Sequence, residues 1–411
     1  MSHIVIVGRK FSELADRLTQ SGDTYTLLQD VKKTKFPDKK FRRRIVADFS
    51  SNESLLATVK TLHDNDPIDA VISLYENYIL PTAIIGEFLG VPHLPVASAE
   101  ACTDKFLMRT LFNGASEKIS PDFAIVQSID DVLAFAHSHS FPLILKPANL
   151  AKSLLVTKSS DITELRNNYE KTMTMIDKIY ETYAPNRTPK LIVEEFLEGS
   201  IHSVDAYIGE DGIPLVLDNV VDYQTGYDIG YDDNFHYSRI LPSKLSANDQ
   251  IALRHCAEIG IKALGMKNSP AHVEVIMTVD GPRIVEIGAR NGGYRGRMHR
   301  LANGIDILGA AIEVALGKKP SIIALKNEPC AVLELFPKHP GIYMGIHNES
   351  TLRSLSSLEY LSIKATPGRF VGKAGDGYKM CTVVILHNTD QAKFDKDILT
   401  MQNDIFIDTT S

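Results

Sequence analysis

Glu274 and Glu286 stand in consecutive apolar stretches, AHVEVIM and PRIVEIG, joined by Val279-Asp280-Gly281. Asp-Gly supplies the positive φ angles of a tight reversal, so the segment reads as a hairpin whose spacing permits both carboxylates to face one side. Set among Val273, Val275, Ile284, Val285 and Ile287, such a pair would repel and lose solvation unless a cation lay between its members. Hard oxygen ligands suit Mg2+, which usually completes its octahedron with phosphate oxygens and water, so the pair implies a phosphate-bearing ligand. Two edge glutamates facing solvent would present the same letters; the flanking aliphatic residues favour a buried strand.

Cations gather around this pair. Arg290-Asn291-Gly292-Gly293 follows it as a turn, with Arg295, Arg297, His299 and Arg300 close behind. Guanidinium groups there can hold carboxylate or phosphoryl oxygens in bidentate fashion, or some of them can form a solvated helix face. Upstream, FPLILKPA puts Lys146 at the end of an apolar strand, where it either snorkels to the surface or meets an anion. Asp104 precedes the helical pattern KFLMRTLFNG as a candidate N-cap. LIVEEFLEG places Glu194 and Glu195 at a strand end, where a carboxylate and backbone groups can pair an adenine edge and its sugar.

The elements that must position these residues are of two kinds. From the start, HIVIVG, a helical pattern through Phe11, Leu14 and Leu18, RRRIVADFS, an amphipathic stretch at Leu55 to Leu62, AVISL, a helix near Pro81 to Leu89 and VPHLPV read as an open parallel α/β domain. The single Gly8 after the first strand leaves no G-x-G-x-x-G spacing, which sets nicotinamide cofactors aside. A long polar helix is expected from Asp161 to Tyr183. From Leu191 the strands lengthen and turn at Glu210-Asp211-Gly212 and Val279-Asp280-Gly281, implying an antiparallel sheet. A helix from Gly304 to Leu316 follows, and the final ninety or so residues read as a small α+β cap.

A chain of 411 residues exceeds one ordinary core and should divide, with a cleft between the parts. A formal net charge of -7 would repel a phosphate backbone, so nucleic acid is not an expected partner. Cys102, Cys256, Cys330 and Cys381 form no C-x-x-C pair, and neither zinc nor a disulfide framework is suggested. No apolar run of signal-peptide or membrane-spanning length occurs, so a cytoplasmic protein without membrane partners is expected, with a homodimer as an allowed assembly.

Taken in order, DKFLMRTLFNG, PLILKPAN, LIVEEFLEG, VEVIM and IVEIGARNGG resemble the ATP-grasp superfamily, and EIGARNGG is most similar to the L-amino-acid ligases that make dipeptides and to carnosine-synthase-like enzymes. The resemblance implies an α/β and α+β multidomain protein: an N-terminal open parallel α/β domain over 1–103, ATP-grasp lobes over 104–195 and 196–320, and a cap over 321–411. It implies ATP with Mg2+, or Mn2+ in its place. Lys105 and Lys146 would contact the ATP phosphates, with Lys152 and Ser153 in the phosphate loop. Glu194, Glu195, Phe196, Leu197 and His202 would hold adenine and ribose. Glu274 and Glu286 would carry the metal, and Arg290 would face the acyl phosphate or the substrate carboxylate, with a catalytic, transition-state role. Two departures stand out. The phosphate loop, Ala148 to Leu154, has no glycine, and Gly288 stands where many relatives have a metal-binding asparagine, which makes Asn291 the candidate third ligand.

The chemistry implied is ATP-dependent joining of two amino acids through an acyl phosphate, with little need for a protein nucleophile. The segment DYQTGYDIGYDDNFHYSRILPS, with Asp228, Asp232 and Asp233, can line an acceptor site or be a solvated loop. Two alternatives share the fold: a purine-pathway or carboxylase-type ligase, with Arg295, Arg297 and Arg300 as a second phosphate site, and a nucleotide-binding regulatory protein without turnover.

Overall fold

The run His3–Gly8 is a fully buried strand that pairs in parallel with Thr24–Asp30 on one side and Ala70–Ile72 on the other, with Arg44–Ala47 at the edge. Burial on both faces is what a parallel sheet demands, and it explains the unbroken apolar run. The computed structural model describes residues 1–33, 43–150, 154–184 and 187–410. VPHLPV, expected as a further piece of this sheet, is a loop that leads into the helix Val96–Thr103; its two prolines remove ladder donors.

The second layer is an antiparallel sheet in the order Phe123–Val126, Leu191–Glu195, Leu143–Pro147, Thr157–Ser159. Side chains alternate across its faces. Leu143, Leu145, Leu191 and Val193 bury one face in a cluster that also takes in Val132 and Phe135 of Ile129–Ser138 and Leu165 and Ile176 of Ile162–Tyr183. Lys146 and Glu194 therefore share the opposite face.

The third layer is a nine-stranded sheet that contains Ser200–Ile208, Val221–Thr225, Ser269–Thr278 and Gly281–Gly288. Both expected Asp-Gly reversals are present, with Gly212 at φ +71° and Gly281 at φ +97°. The helix Ala247–Ala263 covers one face, against Val204, Ala206, Val273 and Val275. Cys330–Leu335, Leu358–Ile363 and Thr382–His387 continue this same sheet, so residues beyond 320 are built into it rather than set apart as a cap. The remaining C-terminal strands, Gly341–Ile346, Phe370–Val371 and Ile407–Thr410, make a separate small sheet. The helix expected from Gly304 begins at Ile307, because Asp306 caps it and Gly304 is left-handed at φ +75°. That helix packs on Ile4, Ile6 and Ile72 of the first sheet, joining the first and third layers in one core. No described helix is long and apolar enough to cross a membrane.

Candidate active site

The hairpin that carries Glu274 and Glu286 is irregular. From the Thr278–Gly281 closure, Val275 opposes Ile284, and an unbroken ladder would then set Val285 opposite Glu274. Instead the register shifts, Val285 is unopposed, and Glu286 faces Glu274 directly. A one-residue slip moves a side chain to the other face, so this bulge is what brings the two carboxylates to one side. Their side chains keep 29% and 27% exposure, enough to meet a ligand.

The helix Lys105–Phe112 supplies cations to both the second and the third layer. Asp104 caps it by accepting from the Phe106 and Leu107 amides, a bond worth about 1 kcal/mol. Lys105 and Arg109, four residues apart, project the same way. Lys105 Nζ lies 2.7 Å from Glu286 Oε2 and 3.4 Å from the Leu150 carbonyl oxygen. Arg109, wholly buried, donates through Nε to Glu194 Oε1 at 3.1 Å and through Nη2 to the Val285 carbonyl at 2.8 Å.

Glu194 is 3% exposed and its other oxygen is 2.6 Å from Lys146 Nζ. Each of its oxygens thus meets a cation, and through that contact it orders Lys146. Burial pushes its acid form up, but Arg109 and Lys146 override this and hold it below the ordinary range. For Lys146 burial wins over Glu194, and its ammonium is lowered to about 8. Glu195 is more open, 3.6 Å from Lys118 Nζ, and the Phe196 ring lies under Lys158 Nζ at 3.8 Å. Leu197 follows, partly exposed, before the strand resumes at Ser200.

Arg290 donates through Nε to Glu76 Oε2 at 2.8 Å. Glu76 comes from the first domain, just past the strand Ala70–Ile72. Burial pushes its carboxyl up, with Arg290 opposing and Glu286 adding to the rise. Glu274 is held well below its ordinary value: burial raises it, and the His272 ring 3.7 Å away together with the charge of His236 overcomes that. His272 is itself raised to about 10, because the Asp205 carboxylate outweighs the burial that disfavours a charged ring.

Several expected residues lie elsewhere. His202 opposes Val275, on the face away from Glu274, and its ring nitrogens meet Asp222 Oδ1 at 2.8 Å and Ser200 Oγ at 2.6 Å. It ties strands together and does not face the carboxylate pair. Asn291, expected as a third metal ligand, is engaged elsewhere: its oxygen accepts from Tyr207 OH at 3.0 Å and its amide donates to the Ile307 carbonyl at 3.1 Å. Lys152 and Ser153 fall outside the described residues. Asp228 accepts from Thr225, Asp233 accepts from the Ala374 and Gly375 amides, and Asp232 pairs with Lys373. The acidic residues of that segment therefore stitch turns. Its His236 does lie near enough to Glu274 to feel its charge, the Tyr223 ring is 4.7 Å from His236 and packs under Arg239, and the Arg239 guanidinium also pairs with Glu334 at 3.2 Å.

Glu76, Arg109, Asp205 and His272 escaped the sequence reading. Arg109 carried a signal, its i+4 spacing from Lys105, and His272 another, its period-two spacing from Glu274. Among the described residues no three or more His, Cys, Asp or Glu side chains converge as metal ligands. Two open carboxylates suit an ion that takes its remaining ligands from phosphate and water.

Residues 139–297 match the ATP-grasp domain family. Alanine–anticapsin ligase of Bacillus subtilis is 28% identical over 292 residues, covering 66% of this chain and 60% of that protein. The chain thus spans about three fifths of the length of such curated relatives. An L-amino acid ligase from Bacillus licheniformis superposes with a TM-score of 0.84 at 17% identity, covering 100% of this chain and 99% of that one. Phosphoribosylglycinamide synthetase from Anaerococcus prevotii reaches 0.71 at 16% identity, with 100% of both chains covered.

Proposed function

We propose that this chain, whose residues 139–297 match the ATP-grasp domain family and whose fold is shared with an L-amino acid ligase, is an ATP-grasp ligase that joins the carboxylate of one amino acid to the amine of another at the expense of ATP. The observation that carries this reading is the meeting of Glu274, Glu286, Lys105, Arg290 and Glu76 at one place, where the third layer faces the first domain.

Glu274 and Glu286 would hold Mg2+, which supplies charge neutralisation on the transferring phosphoryl group. Lys105 and Lys146 bind phosphate oxygens. A carboxylate oxygen of the first amino acid attacks the γ-phosphorus, and ADP leaves. Arg290, oriented by Glu76, faces the acyl phosphate and stabilises the oxyanion as the amine nitrogen attacks the acyl carbon. The C–O bond then breaks, phosphate departs with the former carboxylate oxygen, and the amine gives up a proton. Tyr223, His236 and Arg239 line the side of the site available to amino-acid side chains. Excluding water from the reactive acyl phosphate falls to the helix Lys105–Phe112 and the first domain.

A ligase acting on a phosphoribosyl amine would need a second phosphate site. Arg295 is wholly buried and bonded to Ser203 and Tyr223, whereas Arg297 lies over the Tyr360 ring. These guanidinium groups do not converge, which favours the amino-acid reading. Purified protein incubated with ATP, Mg2+ and a matrix of amino-acid pairs should release phosphate only with particular pairs. Mass spectrometry should then show a product one water lighter than their sum. Phosphate release with ribonucleotide amines and with no amino-acid pair would overturn the proposal.

A further inference from the structure

His272 is 5% exposed and touches three parts of the site at once. Its Nδ1 lies 2.7 Å from Asp205 Oδ1, and its Nε2 lies 3.7 Å from Glu274 Oε1 and 3.5 Å from Tyr223 OH. The register explains this geometry: His272 opposes Asp205 and Glu274 opposes Ser203, so all four side chains share one face of the sheet. The third contact is with the loop after the hairpin. A Cβ built at Gly292 would fall 2.6 Å from both Cε1 and Nδ1 of the imidazole, so the backbone that follows Arg290 rests directly on the ring.

Asp205 is fixed in turn. His299 Nε2 approaches its Oδ2 at 3.3 Å and Arg295 Nε at 3.4 Å, and His299 is braced by Asn303 Oδ1 at 2.9 Å. Arg295 is anchored to Ser203 Oγ at 2.9 Å and Tyr223 OH at 2.6 Å. A core histidine needs only volume and one partner. This ring instead sits on a braced carboxylate, reaches Glu274 with its far nitrogen and supports the Arg290 loop with its edge.

We infer that His272, held by Asp205, is a positioning residue that fixes the Glu274 carboxylate for the divalent cation and sets the height of the Arg290 loop. The inference rests on the reading of Glu274 as a metal carboxylate. It assigns His272 no contact with substrate.

The test is Mn2+ binding followed by electron paramagnetic resonance in the presence of a non-hydrolysable ATP analogue, with thermal unfolding measured alongside. His272→Asn keeps an amide nitrogen near the position of Nδ1, and so the Asp205 bond, but removes the reach to Glu274. Its Mn2+ affinity should fall about 10- to 100-fold, the usual scale for losing a partner of a metal-holding group, with little change in melting temperature. His272→Gln, whose amide reaches toward Glu274, should recover part of the loss. Gly292→Ala tests the loop contact in the native ring and should weaken Mn2+ binding while leaving binding of the analogue alone in place. Unchanged Mn2+ affinity in a folded His272→Asn would overturn the inference, as would unchanged affinity in Gly292→Ala if His272→Asn fails to fold. Absence of nucleotide-dependent Mn2+ binding in the unaltered protein would instead overturn the metal reading itself, and the inference with it.

Discussion

The two faces that would meet a bound nucleotide carry opposite imbalances. On the second-layer side one carboxylate, Glu194, is shared by two cations, Arg109 and Lys146, all nearly or wholly buried. On the third-layer side Glu274, Glu286 and Glu76 stand against Lys105 and Arg290, while His272 is matched by Asp205. The first face has a surplus of positive charge, suited to phosphate oxygens. The second has a surplus of carboxylate, suited to a divalent cation. Each imbalance is costly when buried alone, and each is relieved by the ligand the other face attracts. The helix Lys105–Phe112 links them, since its Lys105 serves the carboxylate-rich face and its Arg109 the cation-rich one.

That contrast is most exposed to Glu286→Gln. Losing one of the two carboxylates proposed to hold the metal should cut amino-acid-dependent phosphate release by about 10³-fold, the scale of the several kcal/mol that a metal contributes to the transition state. Nucleotide binding measured without metal should be preserved. Next in size is Arg290→Met, for which we expect a loss in kcat of about 10²- to 10³-fold, as for removal of a single oxyanion-stabilising donor, with KM for ATP little changed. Steady-state kinetics separates the two parameters. A loss confined to KM would place Arg290 with the cation-rich face and break the division.

Lys146→Met should weaken ATP binding by about 10- to 100-fold, as expected for one charge-assisted hydrogen bond, and leave Mn2+ affinity intact; calorimetry reads both. The pH dependence sharpens this. Burial lowers the Lys146 ammonium to about 8, so it is charged below that pH and neutral above it. ATP affinity should therefore hold at neutral pH and decline as pH rises through about 8. Lys146→Arg should remove that decline, because a guanidinium stays charged. The smallest effects belong to residues outside both faces. His202→Gln should change ATP affinity by less than about twofold, and Asn291→Ala should cost about 1 kcal/mol of stability through its lost hydrogen bonds without altering Mn2+ affinity.

Much of this arrangement is legible locally. Lys146, Glu274 and Glu286 stand in short apolar strands whose ends are marked by Pro147 and Asp280-Gly281, and period-two patterns survive without tertiary information. What local patterns lack is register. The two carboxylates share a face only through the bulge at Val285, which no turn residue announces, and the same missing register put His202 on the wrong side of its sheet. Partners distant in sequence were also invisible: Glu76 lies 214 residues before Arg290, and Arg109 lies 85 before Glu194. Nothing near Glu194 in the chain announces the two cations that meet it.

The central claim is that a carboxylate is activated by phosphoryl transfer before an amine attacks it. The most direct measurement uses a productive amino-acid pair in which the carboxylate of the donor is labelled with oxygen-18, followed by mass spectrometry of the released phosphate. The account predicts one labelled oxygen per phosphate in step with product formation, because the carboxylate oxygen that attacks phosphorus leaves with it. Unlabelled phosphate accompanying a genuine dipeptide would contradict it.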